Sequence, residues 1–237
     1  MSNSSLSQFQ LDPVDDNDPL LASAAGDWER IAYLQKVYSL VLLGIALFSF
    51  ILFGVSQNLM GLQGLAVSLM RMNPLLLIVL MLGSAFGVRV IAHKPGIGLV
   101  GYLLYASFLG LLVSPLVIHA SGTGTLVPAA VTTLAVFLGL TTYVFVTKKD
   151  FSWMGGILYT VLFGMIAVGI LALIFGFHLG LLWNLLGALL FSGYILYDTS
   201  NVLHHNRTDK PLPAAIELFV DVVLLFWYIL ALFNSRD

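Results

Sequence analysis

The sequence predicts an all-α membrane protein, a seven-transmembrane-helix bundle. Three observations predict it. Of 237 residues, 59% are hydrophobic and only 9% are charged, with a mean hydropathy of +0.97, whereas a soluble domain carries about 25% charged residues. The apolar runs are about 20 residues long, which is what a helix needs to cross the hydrocarbon of a bilayer. Strict alternation of apolar and polar residues, the mark of a barrel strand, is absent. No soluble fold of this length could hide so much apolar surface.

The first stretch, residues 1–30, is polar and acidic, with Asp12, Asp15, Asp16 and Asp18 around Pro13 and Pro19. It lacks a basic region followed by an apolar one, so it reads as a disordered cytosolic tail and not as a signal peptide. A short protein-docking segment is the sharper reading of the same residues. Residues 31–237 read as the transmembrane domain, with spans at about 34–56, 74–93, 97–119, 126–147, 152–175, 179–203 and 212–233. The longest joint, 57–73, separates the first two spans. Gly83 and Gly87 in the second permit a close helix crossing. Pro115, late in the third, is a candidate kink. Lys148, Lys149 and Asp150 break the chain sharply between the fourth and fifth spans. Asp209, Pro211 and Pro213 mark the start of the last helix, because proline is tolerated in a first turn.

Orientation follows from lysine and arginine. With the N-terminus cytoplasmic, the inner side receives Arg30, Lys36, Arg89, Lys94, Lys148, Lys149, Arg207 and Lys210, and the outer side only Arg71 and Arg236. Seven spans then place the C-terminus outside. These features fit a bacterial inner membrane.

The functional argument rests on acids inside the spans. Asp198 and Asp221 each lie within a segment long and apolar enough to cross the bilayer, and Glu217 lies one turn before Asp221. An acid at the centre of a membrane helix costs roughly 2.5–3.5 kcal/mol on the insertion scale, so two need about 5–7 kcal/mol of compensation from partners, water or protonation. Counting from Pro211, Asp221 is roughly 15 Å into the last helix, and Asp198 is about 8 Å from the inner end of the helix before it. Adjacent antiparallel helices bring the two carboxyls together in the inner half of the bilayer. Two close carboxylates in low dielectric cannot both ionise cheaply, so the pair keeps a proton. Protonated, it holds its helices together; ionised, it repels itself and attracts water or a hard cation. Calcium takes oxygen ligands, often carboxylates, and Asp198, Asp221 and the accessory Glu217 could supply them. Arg89, late in the second span on the same side, is the natural counter-charge and a candidate latch. Its plainer role is to snorkel to the inner headgroups.

Other chemistries find little purchase. There is no cysteine, hence no disulfide and no thiolate ligand or nucleophile. HExxH, GxSxG and the P-loop are absent. Intramembrane aspartyl proteases use two membrane aspartates in YD and GxGD motifs; Tyr197-Asp198 matches the first, but Asp221 sits in LFVDVV. The chain therefore reads as no enzyme, with no cofactor and calcium as the bound or transported ion. No basic cluster suggests nucleic acid. His93, His204 and His205 sit at inner joints as surface residues, and His119 and His178 lie toward the outer ends, too far away to form one zinc site with the acids.

Three blocks carry a resemblance: LTTYVFVTKKDFSWMG at 140–155, GYILYDTSNVLHH at 193–205 and AAIELFVDVVLLFWYIL at 214–230. With them the chain resembles the Bax inhibitor-1 (transmembrane Bax inhibitor motif) family, bacterial type, over nearly everything after Gln35. The resemblance implies a seven-helix bundle and a pH-sensitive calcium leak with a two-aspartate sensor, whose positions match Asp198 and Asp221. It places the family's late second-helix arginine at Arg89. The family often has an asparagine where this chain has Leu224, and the acidic tail lies outside the resemblance. Relatives include modulators of a membrane-bound ATP-dependent protease and suppressors of cell death. The sequence thus leaves a passive pH-gated leak in the lipid bilayer as the first reading. A non-conducting regulator bound to such a protease is the second, and a proton-coupled antiporter the third.

Overall fold

The structure, a computed structural model, describes residues 20–94 and 96–235. Residues 1–19, and with them the four aspartates of the acidic tail, lie outside the described residues, as does Arg236. Among the described residues eight α-helices follow in order: α1 Asp27–Ser56, α2 Leu62–Met70, α3 Pro74–Ile91, α4 Ile97–Thr123, α5 Leu126–Thr147, α6 Gly155–Phe175, α7 Leu181–His204 and α8 Pro211–Asn234. Six of them (α1 and α4–α8) are long and apolar enough by themselves to cross a membrane. The seventh span is α3, whose 18 residues rise about 27 Å, close to the hydrocarbon thickness. The fold is the expected all-α membrane bundle with seven spans, plus one short helix.

That short helix, α2, falls in the 57–73 stretch expected to be a joint. Its nine residues rise only about 14 Å. The chain enters it through left-handed backbone at Asn58, Met60 and Gly61, which ends α1 and turns the chain aside. Asn73 then opens α3: its side chain accepts the Leu75 N–H at 2.9 Å, and Pro74 takes the first helical position, where no N–H is needed. Gly124 and Gly176, both at φ 72°, end α4 and α6.

α4 runs unbroken through Pro115, which the sequence marked as a candidate kink. Proline removes the N–H that would bond the carbonyl of residue 111. The buried Ser114 hydroxyl donates to that Leu111 oxygen at 2.7 Å instead.

α8 is the axis of the bundle. It packs against α7, α1, α5 and α4, and its burial exceeds that of every other span. Phe219 meets Tyr102 of α4 and Phe48 of α1 edge-on, at centroid distances of 5.4 and 6.4 Å. Gly44 lets α1 approach closely: a methyl group there would collide with the Tyr102 ring. α3 and α6 are peripheral, α3 against α4 and α6 against α7. The close crossing that Gly83 and Gly87 permit is not made within this chain, since a methyl at either would meet nothing within 4 Å.

The near end of the bundle holds the start of α1 and the α3–α4, α5–α6 and α7–α8 turns. Arg30, Lys94, Lys148, Lys149, Arg207 and Lys210 gather there. Residues 20–30, part of the stretch read as a disordered tail, are packed at this end. Leu21 and Ala22 are buried and pair antiparallel with residues 206–208: Ala22 N–H donates to Asn206 O at 3.0 Å and Thr208 N–H to Leu20 O at 2.8 Å. The Thr208 hydroxyl donates to Glu29 at 3.0 Å, and Arg30 donates to the Leu203 carbonyl at 3.2 Å.

Candidate functional site: a buried aspartate pair

α7 and α8 run antiparallel, and a short turn brings their near-end halves side by side. Their far ends also come close: a side chain at Gly187 would run into the Tyr228 ring. This contact fixes the register in which the acids meet. Asp198 and Asp221 are buried, at 8% and 4% exposure, and their carboxyls lie within hydrogen-bonding reach of one another. Asn201, one turn on from Asp198, lies near enough to its carboxyl to act on it. Asp221 Oδ2 has no protein partner. Buried polar atoms are nearly always satisfied, so this oxygen is free to take a proton, a water or a cation.

Glu217 is half-buried one turn nearer the α7–α8 joint. Its charge acts on both aspartates. Among the described residues no group of three or more acids, histidines or cysteines is arranged to hold a metal, so Glu217 does not complete a three-carboxylate site. A calcium ion takes 6–8 oxygens, more than the two carboxyls of the pair supply.

Arg89 is exposed on α3, a helix that does not pack tightly on α7 or α8. Its charge acts on Asp198, Asp221 and Glu217, yet among the described residues it makes no ion pair with them. In this conformation the candidate latch is a counter-charge at a distance.

Tyrosines surround the pair, and the sequence reading passed over them. Tyr194, also on α7, is buried with an unpartnered hydroxyl. Its ring stands edge-on to Tyr159 of α6 at 5.8 Å. Both phenols lie near enough to Asp198 and Arg89 to interact with them electrostatically. Tyr194 is four residues before Asp198 and therefore on its face of the helix, so spacing alone was a usable signal. From α1, Tyr33 interacts electrostatically with Glu217, and the hydroxyls of Tyr33, Tyr38 and Thr199 are buried without a hydrogen-bond partner among the described residues.

The histidines stay apart from the acids. His205, expected as a free surface residue, contacts Asp150 on the α5–α6 turn, Nε2 to Oδ2 at 2.9 Å. His204 Nδ1 lies 3.0 Å from the Ser200 carbonyl.

Comparisons with known proteins agree with this architecture. The family model described as "Inhibitor of apoptosis-promoting Bax1" matches residues 30–237. The chain is 34% identical over 206 residues to protein lifeguard 4 of Mus musculus, covering 85% of this chain and 84% of that protein. It is 31% identical over 209 residues to Bax inhibitor 1 of Schizosaccharomyces pombe, covering 85% and 75%. A bacterial relative, an uncharacterized protein of Campylobacter jejuni, is 40% identical over 130 residues, about half of each chain. By the extent of these matches, the chain belongs to the Bax inhibitor family.

Proposed function

We propose that this protein is a passive calcium leak of the membrane whose conductance is set by pH at Asp198 and Asp221. One observation supports the reading above the rest: two buried carboxyls within hydrogen-bonding reach on adjacent antiparallel spans, one oxygen of which has no protein partner. Such a pair is expensive in a membrane. It holds α7 to α8 while it keeps a proton and separates them when it loses it. Ionised, it offers a hard cation two carboxylates. On this reading the chain is no enzyme; the near end faces the cytoplasm, the N-terminus with it, and the membrane is a bacterial inner membrane, as the bacterial relatives suggest.

Calcium flux into liposomes holding the purified protein, measured across a pH series, tests this. Wild type is expected to show a pH-dependent flux, and Asp198→Asn and Asp221→Asn a flux independent of pH. Three identical profiles would remove the pair from the gate. No flux from folded wild-type protein at any pH would remove the leak.

A further inference from the structure

A cleft of about 430 Å³ opens in the far half of the bundle, among α1, α4, α5 and α8. Its floor is deep in the protein: Phe48, Val223 and Phe226 line it at 5%, 2% and 8% exposure. Its rim is on the lipid-facing surface, where Phe53 and Leu134 stand 56% and 54% exposed with Ala130 exposed between the walls. The cleft is thus continuous with the surface the bundle shows to the bilayer. It runs from mid-depth, at Ile45 and Val222, to the far end, at Ser56 and Ser121.

Protein interiors contain few voids larger than a water molecule, so an opening of this size needs an occupant. Water is a poor one, since each molecule needs two to four polar partners. Of the four hydroxyls lining the cleft, three are engaged by their own helices: Ser56 donates to Phe53 O, Ser121 to Val117 O and Thr133 to Ala129 O, each at 2.8 Å; the fourth, Ser49, stands alone on the exposed side of α1 and offers water too few partners. Apart from that one serine, what remains is aliphatic and aromatic wall. A polar or charged ligand would be stripped of water with nothing in return, whereas a hydrocarbon chain leaves a hydrocarbon solvent for a shaped hydrocarbon slot and gains packing contacts.

We propose that this cleft is a binding site for one acyl chain of a bilayer lipid, which enters between α1 and α5 and seats its end on the turn of α8 that follows Asp221. Nothing in this assignment depends on the calcium leak. Its occupant bears on α8 through Val222 and Val223, the two residues after the acid.

The test uses the full chain in nanodiscs of phosphatidylcholine doped with a phosphatidylcholine that carries a diazirine near the end of one acyl chain. After irradiation and digestion, mass spectrometry locates the adducts. Adducts are expected on Val223 and Phe226, besides those on exposed lipid-facing side chains such as Phe163 of α6. Ala130→Trp, which fills the entrance, should reduce the Val223 and Phe226 adducts several-fold and leave Phe163 unchanged. Leu134→Trp, one turn further along the rim, serves if the first variant does not fold. Adducts confined to exposed faces in wild type would overturn the proposal without any variant. Floor adducts that persist undiminished behind a tryptophan would do so equally, since the label would then have reached them by another route.

Discussion

Arg89 acts on the aspartate pair through space, and that has a measurable consequence. A positive charge near a carboxyl favours its ionised form. The Arg89 guanidinium exerts this influence on Asp198, Asp221 and Glu217 together without a direct ion pair to any of them. Arg89→Gln takes that influence away, so a proton is released from the pair only at higher pH. The pH profile of calcium flux should move to the alkaline side. Arg89→Lys, which keeps the charge, should restore the wild-type profile. An arginine that only anchors the near end to headgroups would behave differently: Arg89→Gln would then lower the yield of inserted protein and leave the midpoint of the profile where it was. Tyr194 and Tyr159 stand on the same side and interact electrostatically with Arg89. If the pair gates as proposed, its pH profile should depend on a cluster drawn from α3, α6, α7 and α8.

Among the elements, the α5–α6 turn and the end of α7 are joined by one compact knot. Asp150 accepts the Ser152 N–H at 2.8 Å and the Ser200 hydroxyl at 3.2 Å, and it contacts His205 at 2.9 Å. Ser200 in turn accepts the Phe151 N–H at 2.9 Å. Partial burial by itself would raise the Asp150 carboxyl. The Ser152 backbone N–H, the His205 ring and the Ser152 hydroxyl outweigh it and hold the group below the ordinary carboxylate range. The folded state thus favours ionised Asp150. Its contribution is complete above the ordinary carboxylate range and is lost as pH falls through the lowered value. Thermal melts in detergent should show Asp150→Asn less stable than wild type near pH 7, by under about 1 kcal/mol because both partners are half exposed. The gap should begin to narrow below about pH 4, where the unfolded chain's carboxyl protonates, and go on narrowing with further acid. A gap that held constant with pH would mean the carboxylate charge plays no part. This knot was invisible in the sequence, since Asp150 and His205 are 55 residues apart and each sits in a polar joint. The aspartate pair was visible, because an acid in an apolar run is conspicuous at any distance from its partner. α2 was not: LQGLAVSLM is apolar but too short to span, and only the left-handed turns before it set it apart from a loop. The early start of α1 was hidden for a third reason. Glu29 and Arg30 find their partners on residues 179 and 173 positions further on, and no local pattern reports that.

For the whole molecule, the decisive question is which end faces the cytoplasm, because the pair sits toward one end and a pH sensor reports the compartment it can reach. Basic residues gather at the near end, on the α1 start and the three turns that share it. Lysine and arginine are held on the cytoplasmic side during insertion, so the near end should be inside. The acid pair then exchanges protons with the cytoplasm, and the acyl cleft opens toward the outer leaflet. The chain contains no cysteine, so single cysteines report without background. Met60, 99% exposed in the α1–α2 turn, and Lys148, exposed in the α5–α6 turn, mark opposite ends. A membrane-impermeant maleimide applied to intact cells should label Met60→Cys and spare Lys148→Cys until the membrane is opened. The reverse pattern would place the pair toward the outer face, and the pH it reads would then be external. Equal labelling of both before lysis would show that the label crosses or that the chain inserts in two orientations. Labelling with a reagent too large for any pore, at both positions in sealed inverted vesicles, separates those cases: one orientation exposes Lys148→Cys alone, and dual insertion exposes both.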